Sequence, residues 1–176
     1  EPNPDGTLGL ENIEAVWQKN VKLLTITHLS NALGTAPDLT KIIPFAQQNG
    51  AKILVDGSQS VVHSKVDVQS LSADFFCFTG HKLYGPTGMG VLYIHPNLLE
   101  NMPPYQGGGD MIERVILPTG TTFAKAPAKF EAGTPNIVGA IALMAALNYL
   151  EQFNMADVHT HETTLANAAR TELENL

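Results

Sequence analysis

The chain has 176 residues, 44% of them hydrophobic and 15% charged, which is the balance of a folded domain with a real core and excludes a disordered tail. Its formal net charge is -7 and its ten Lys and Arg are scattered, which excludes the basic face that a nucleic-acid backbone requires. No apolar run approaches the roughly 20 residues of a membrane span, no signal peptide opens the chain, and a single cysteine, Cys77, excludes an internal disulfide framework and points to a reducing, cytoplasmic setting.

The opening Glu1-Pro2-Asn3-Pro4-Asp5-Gly6 lacks an initiator Met, and the last residues, Glu174-Asn175-Leu176, still follow a helical pattern. The expectation is a piece of a longer protein. Leu10, Ile13 and Val16 recur at helical spacing, and Val21 to Thr27 is a short apolar strand. Leu39, Ile42, Ile43 and Ala46 form a helical stripe, with Thr40 as the expected cap, Pro44 then within the first turn, and Gly50 at the stop. Ala51 to Asp56 is almost wholly apolar, as a parallel strand covered on both faces should be. Ala73 to Thr79 and Gly88 to His95 read as two further strands. From Pro103 to Asn136 the chain is rich in Gly, Pro and Thr and is expected to be a long loop, with Gly107-Gly108-Gly109 either a hinge or a motif. Two helices close the chain, Ile137 to Phe153, apolar on most sides and expected to be buried, and Met155 to Leu176. The alternation of strand and helix predicts an α/β domain with a mostly parallel sheet and flanking helices.

Ligands of such sheets bind beyond the carboxyl ends of the strands, and three strand ends here each release a polar cluster. The first leads into His28-Leu29-Ser30-Asn31, the second into Asp56-Gly57-Ser58-Gln59, and the third into Thr79-Gly80-His81-Lys82. If the strands are parallel neighbours, Asn31, Asp56, Gln59, His81 and Lys82 converge on one rim. A lysine amine that is partly desolvated can bond an aldehyde cofactor, and an acid at a buried strand end can keep a pyridine nitrogen protonated.

On these residues the resemblance is specific. Thr79-Gly-His-Lys-Leu-Tyr-Gly-Pro-Thr-Gly88 resembles the pyridoxal-phosphate (PLP) lysine signature of the class V aminotransferase family, and Asp56-Gly-Ser-Gln59 and Thr27-His-Leu-Ser-Asn31 resemble its cofactor and substrate contacts. Gly107-Gly-Gly-Asp-Met-Ile112 and Phe130-Glu-Ala-Gly-Thr-Pro-Asn136 are similar to its cysteine desulfurase branch, of the SUF or selenocysteine lyase type. The resemblance implies that residues 1–176 are the large-domain portion of a fold-type I PLP-dependent transferase, with an upstream part and a C-terminal small domain outside the chain. It implies Lys82 as the lysine that bonds pyridoxal 5'-phosphate and then moves the proton at the substrate α-carbon. Asp56 would hold the pyridine nitrogen, Gln59 the phenolate oxygen, Thr79 and His81 the phosphate, and Asn31 the cofactor and substrate carboxylate. Thr134 would reach the cofactor phosphate of a neighbouring subunit, so that a homodimer is part of the site. The implied activity is removal of sulfur from L-cysteine, or selenium from selenocysteine, with a persulfide passed to an acceptor protein for iron–sulfur cluster assembly. The family's upstream phosphate turn and ring-stacking histidine, and its nucleophilic cysteine and carboxylate-binding arginine, match nothing in this chain.

Competing assignments are weaker. Another class V enzyme, such as an aminotransferase or kynureninase, would share the rim, and a chain lacking those four groups could be a non-catalytic module. His159 and His161 fall on different faces of a helix and make no metal pair. His28 and His63 read as loop hydrogen-bonders, Gly85 to Gly90 precedes a strand rather than opening a helix, and Ser58 lacks a nucleophile elbow. Cys77, between Phe76 and Phe78 in a strand interior, is expected to be a buried small hydrophobe with a raised pKa and not a nucleophile.

Overall fold

A computed structural model describes all 176 residues. Its centre is a four-stranded sheet in the order β1 (Leu23–Thr27), β2 (Lys52–Asp56), β3 (Phe75–Thr79) and β4 (Gly90–Ile94). The first three are parallel and β4 returns antiparallel to β3, so the expected mostly parallel α/β sheet with flanking helices is what forms. One face of this sheet carries Ile26, Val55 and Phe76, neighbours in register and all buried. They pack with Ile53 against the apolar stripe Leu39, Ile42, Ile43 and Ala46 of α2 (Leu39–Gln48), and against Ile13 of α1 (Leu10–Val16). Alternation sends the next residues to the opposite face, where Thr27, Asp56 and Cys77 form a row across three strands. That face is open: Leu23 and Leu92 on it are 49% and 51% exposed.

The far end of the sheet is fixed by one carboxylate. Asp74, buried, accepts from the backbone N–H of Ile53 at 3.0 Å and from Lys52 Nζ at 2.9 Å, joining the start of β3 to the start of β2. Two short helices, α3 (Ser60–His63) and α4 (Val68–Leu71), fill the crossover between those strands.

The structure moves the cap of α2. Asp38, not Thr40, accepts from the helix terminus (Thr40 N at 3.2 Å), and the Thr40 hydroxyl donates to the same oxygen. Pro44 therefore lies beyond the first turn, on the solvent side, where its missing N–H leaves one helical carbonyl to water.

After β4 comes α5 (Pro96–Leu99), and the region expected as a long loop, Pro103 to Asn136, holds an antiparallel hairpin, β5 (Ile112–Ile116) and β6 (Gly120–Phe123), that pairs only with itself. The helix over residues 137–150, α6 (Ile137–Leu150), is not buried as expected: only Gly139 and Leu143 are, while Ile137, Val138, Ile141 and Met144 face outward. Its contact is the glycine-rich turn after β3, where Leu143 Cδ1 lies 3.3 Å from the Cβ position of Gly80 and 2.8 Å from that of Gly85. The last helix, α7 (Met155–Glu174), is tied to α3 by His63 Nδ1 and the carboxylate of Glu162 at 3.0 Å. No helix is long and apolar enough to cross a membrane.

Candidate active site

The carboxyl ends of β1, β2 and β3 lie side by side, so Asn31, Asp56, Gln59, Thr79, His81 and Lys82 leave the sheet at one rim. Asp56 closes β2 on the open face, in register with Thr27 on one side and Cys77 on the other. Its backbone is held from both sides: the Asp56 carbonyl accepts from His28 N, and Gly57 N donates to the Cys77 carbonyl, each at 2.8 Å. One carboxylate oxygen accepts from Ser58 N at 2.9 Å and the other has no partner, so the group is placed and still able to bind. Just past β2, the Gln59 side chain donates to Asn31 Oδ1, so the amide predicted from the first strand end and the one from the second do meet.

β3 continues to Thr79 and passes into a single 3-10 turn, Gly80–Lys82. The turn is closed by Gly80 N donating to Met89 O at 2.8 Å, and by Leu83 N and Gly85 N both donating to Gly80 O. The Thr79 hydroxyl and His81 Nδ1 are 2.7 Å apart, so the two groups predicted for a phosphate are already adjacent. Lys82 is half-buried, and its amine has neither a hydrogen-bond nor an ion-pair partner; the three ion pairs are elsewhere. Thr134 does not join this group by any hydrogen bond. It is exposed in the loop ahead of α6, whose cap Asn136 holds Gly139 N at 2.9 Å and faces Gly88.

Three features escaped sequence reasoning. Cys77 is level with Asp56 and only half-buried, because the open face leaves it uncovered; the strand interior is not the closed environment expected. Burial first, and then the Asp56 carboxylate, push its thiol up, the direction expected. His28 is no loop hydrogen-bonder: its Nδ1 is buried without a partner, its ring meets Phe76 edge-on at 6.3 Å, and burial pushes its pKa down. His63, by contrast, does hydrogen-bond, but from a helix end to α7. Strand alternation gives Cys77 the same facing as Thr79, but not that this face is left uncovered; nothing in the sequence announced the pocket of His28.

The donor set fits PLP. A free amine, a carboxylate with one open oxygen, a hydroxyl–imidazole pair and an amide pair match in kind the aldehyde, pyridine nitrogen, phosphate and phenolate of that cofactor.

The model of the family described as "Aminotransferase class-V" matches residues 1–176. A cysteine desulfurase of Shigella sonnei is 52% identical over 174 residues, 99% of this chain and 43% of that protein. The crystal structure of the Escherichia coli cysteine desulfurase CsdA superposes with a TM-score of 0.89 at 41% identity, covering 95% of this chain and 42% of that one. An apo cysteine desulfurase of Thermococcus onnurineus NA1 gives 0.90 at 38%, covering 99% and 44%. A C-DES variant with glycine covalently linked to its PLP cofactor gives 0.75 at 26%, covering 86% and 41%. The chain thus spans less than half the length of the relatives it matches.

Proposed function

The chain belongs to the class V aminotransferase family, and on that premise we propose that it is the cofactor-binding large-domain portion of a PLP-dependent cysteine desulfurase. The observation that carries the reading is the unpartnered Lys82 amine, one strand away from an Asp56 carboxylate with an open oxygen and beside the Thr79–His81 pair. The whole-chain likeness to cysteine desulfurases supports the same substrate. PLP, when bound, supplies the electron sink for chemistry at an amino-acid α-carbon.

Each residue then has a bounded task. The Lys82 amine fixes the cofactor aldehyde and carries the proton to and from the substrate α-carbon. Asp56 holds a proton on the pyridine nitrogen. Thr79 and His81 donate to the phosphate, Gln59 donates to the phenolate oxygen, and Asn31 orients Gln59 and the substrate side of the ring. Selenocysteine as a second substrate, a sulfur-acceptor protein, a homodimer completed by Thr134 and a cytoplasmic setting complete the proposal; one cysteine in 176 residues supports the last.

The test is borohydride reduction of the full-length protein with PLP, followed by peptide mapping, together with alanine release from L-cysteine. A pyridoxyl group on Lys82 and alanine formation are expected. A label on another lysine, or turnover that survives Lys82→Ala, sinks the assignment.

A further inference from the structure

Gly57, the residue after Asp56, is buried, and a Cβ built on it would lie 1.9 Å from Phe76 Cζ and 2.6 Å from both Cε atoms. The Phe76 ring therefore occupies the volume of any side chain at position 57. The ring itself has nowhere to go: it is 2% exposed, Val55 and Tyr93 flank it in register, and the His28 ring closes its edge at an interplanar angle of 85°. Above it, the Asp56–Gly57 backbone is held by His28 N on one side and the Cys77 carbonyl on the other.

From this packing we propose that Phe76, backed by His28, is a positioning residue: its ring is the stop under Gly57 that sets where Asp56 presents its carboxylate to the cofactor ring. None of these atoms touches the reacting groups. They act on the far side of the sheet from the Asp56 side chain, and any change in the ring's height moves the strand end. His28 suits the role because burial pushes its pKa down and so disfavours a charge beside the aromatic edge it presents. The inference rests on the reading of Asp56 as the pyridine-nitrogen partner.

The test uses the full-length protein and the cofactor's visible absorption. Gly57→Ala forces its methyl into the ring and lifts the strand end, and overpacking of this kind is not absorbed locally. The expected result is PLP binding weakened about tenfold, with a displaced pH midpoint of the Lys82-dependent visible band, while far-UV dichroism stays parental. Leucine lacks the Cε and Cζ atoms that the alanine methyl meets, so Gly57→Ala combined with Phe76→Leu should restore both band and affinity. A Gly57→Ala protein with parental band and affinity overturns the inference, as does a double variant no better than the single. Should Gly57→Ala alone not fold, the double variant decides: a parental band supports the ring as the stop, and a shifted one overturns it. A parent protein with no Lys82-dependent band refutes the cofactor reading itself, and the inference with it.

Discussion

Asp56 carries the first consequence at the scale of single residues. Its open carboxylate oxygen is the only acid on the row formed with Thr27 and Cys77, so no neighbour can substitute for it. A hydrogen bond to a charged group contributes about 1.5–3 kcal/mol, and each 1.36 kcal/mol of barrier is about tenfold in rate. Asp56→Ala in the full-length protein should still bond PLP at Lys82 but exchange the substrate α-proton into deuterated water roughly 10- to 100-fold more slowly. Full exchange rate would make Asp56 a mere strand terminus. Cys77 supplies the opposite case. With its thiol pushed up by burial and by the Asp56 carboxylate, the thiolate forms only above the ordinary thiol range. Iodoacetamide should label it slowly at neutral pH and faster only in alkali, and Cys77→Ala should leave alanine release intact. Loss of release in that variant would make Cys77 the nucleophile. For His28 the sign is that of a depressed pKa: the folded state disfavours the proton, so the stability is full above the unfolded value and is lost as pH falls below it. Melting temperature should therefore drop on acidification from about pH 6.5, and His28→Phe, which keeps an aromatic edge on Phe76, should flatten that drop.

At the scale of elements, the strands were legible because β1, β2 and β3 are short apolar runs, but the cover expected on both faces of β2 exists on one only, the face packed on α1 and α2. Their polar exits, Asn31, Asp56, Gln59 and Lys82, were legible for the same reason: the apolar run stops where the chain leaves the sheet. The cap of α2 was not, since Asp38 and Thr40 are both good capping residues, and only the backbone decides which carries φ and ψ outside the helix. Asp38→Ala should cost about 1 kcal/mol of stability by chemical denaturation, whereas Thr40→Ala should cost less. The hairpin β5–β6 was hidden by its composition: its five-residue first strand is exposed throughout, so it lacks the apolar alternation that signals a half-buried strand. At the other end of the sheet, Asp74→Ala would leave the N–H of fully buried Ile53 without its acceptor. The expected loss is about 2–4 kcal/mol, seen as a lower denaturant midpoint.

For the molecule as a whole, α6 shows where composition misleads. Fourteen residues without a charge look like a core helix, but a helix is buried only if surfaces exist to cover it. This chain offers α6 the Gly80–Gly85 turn, and most of the rest of the helix stays in solvent. The isolated 176-residue chain should therefore bind an apolar dye and self-associate by light scattering, and Ile141→Glu, at a position 59% exposed, should lessen both without lowering the melting temperature. A monodisperse monomer that ignores the dye would show that this face is not sticky.

Asp74 has a meaning beyond stability. Strands have only two phases, and sliding β3 by one residue past β2 would exchange odd and even positions, turning Phe76 and Phe78 to the open side and Cys77 and Thr79 into the core. The hydrogen bonds of Asp74 to Ile53 and Lys52 set that parity at the start of the strand, five residues and roughly 17 Å from Thr79. The chemistry of the rim is thus encoded at the opposite end of the central strands. An inactive variant at position 74 could carry every rim residue intact and still present the wrong half of them.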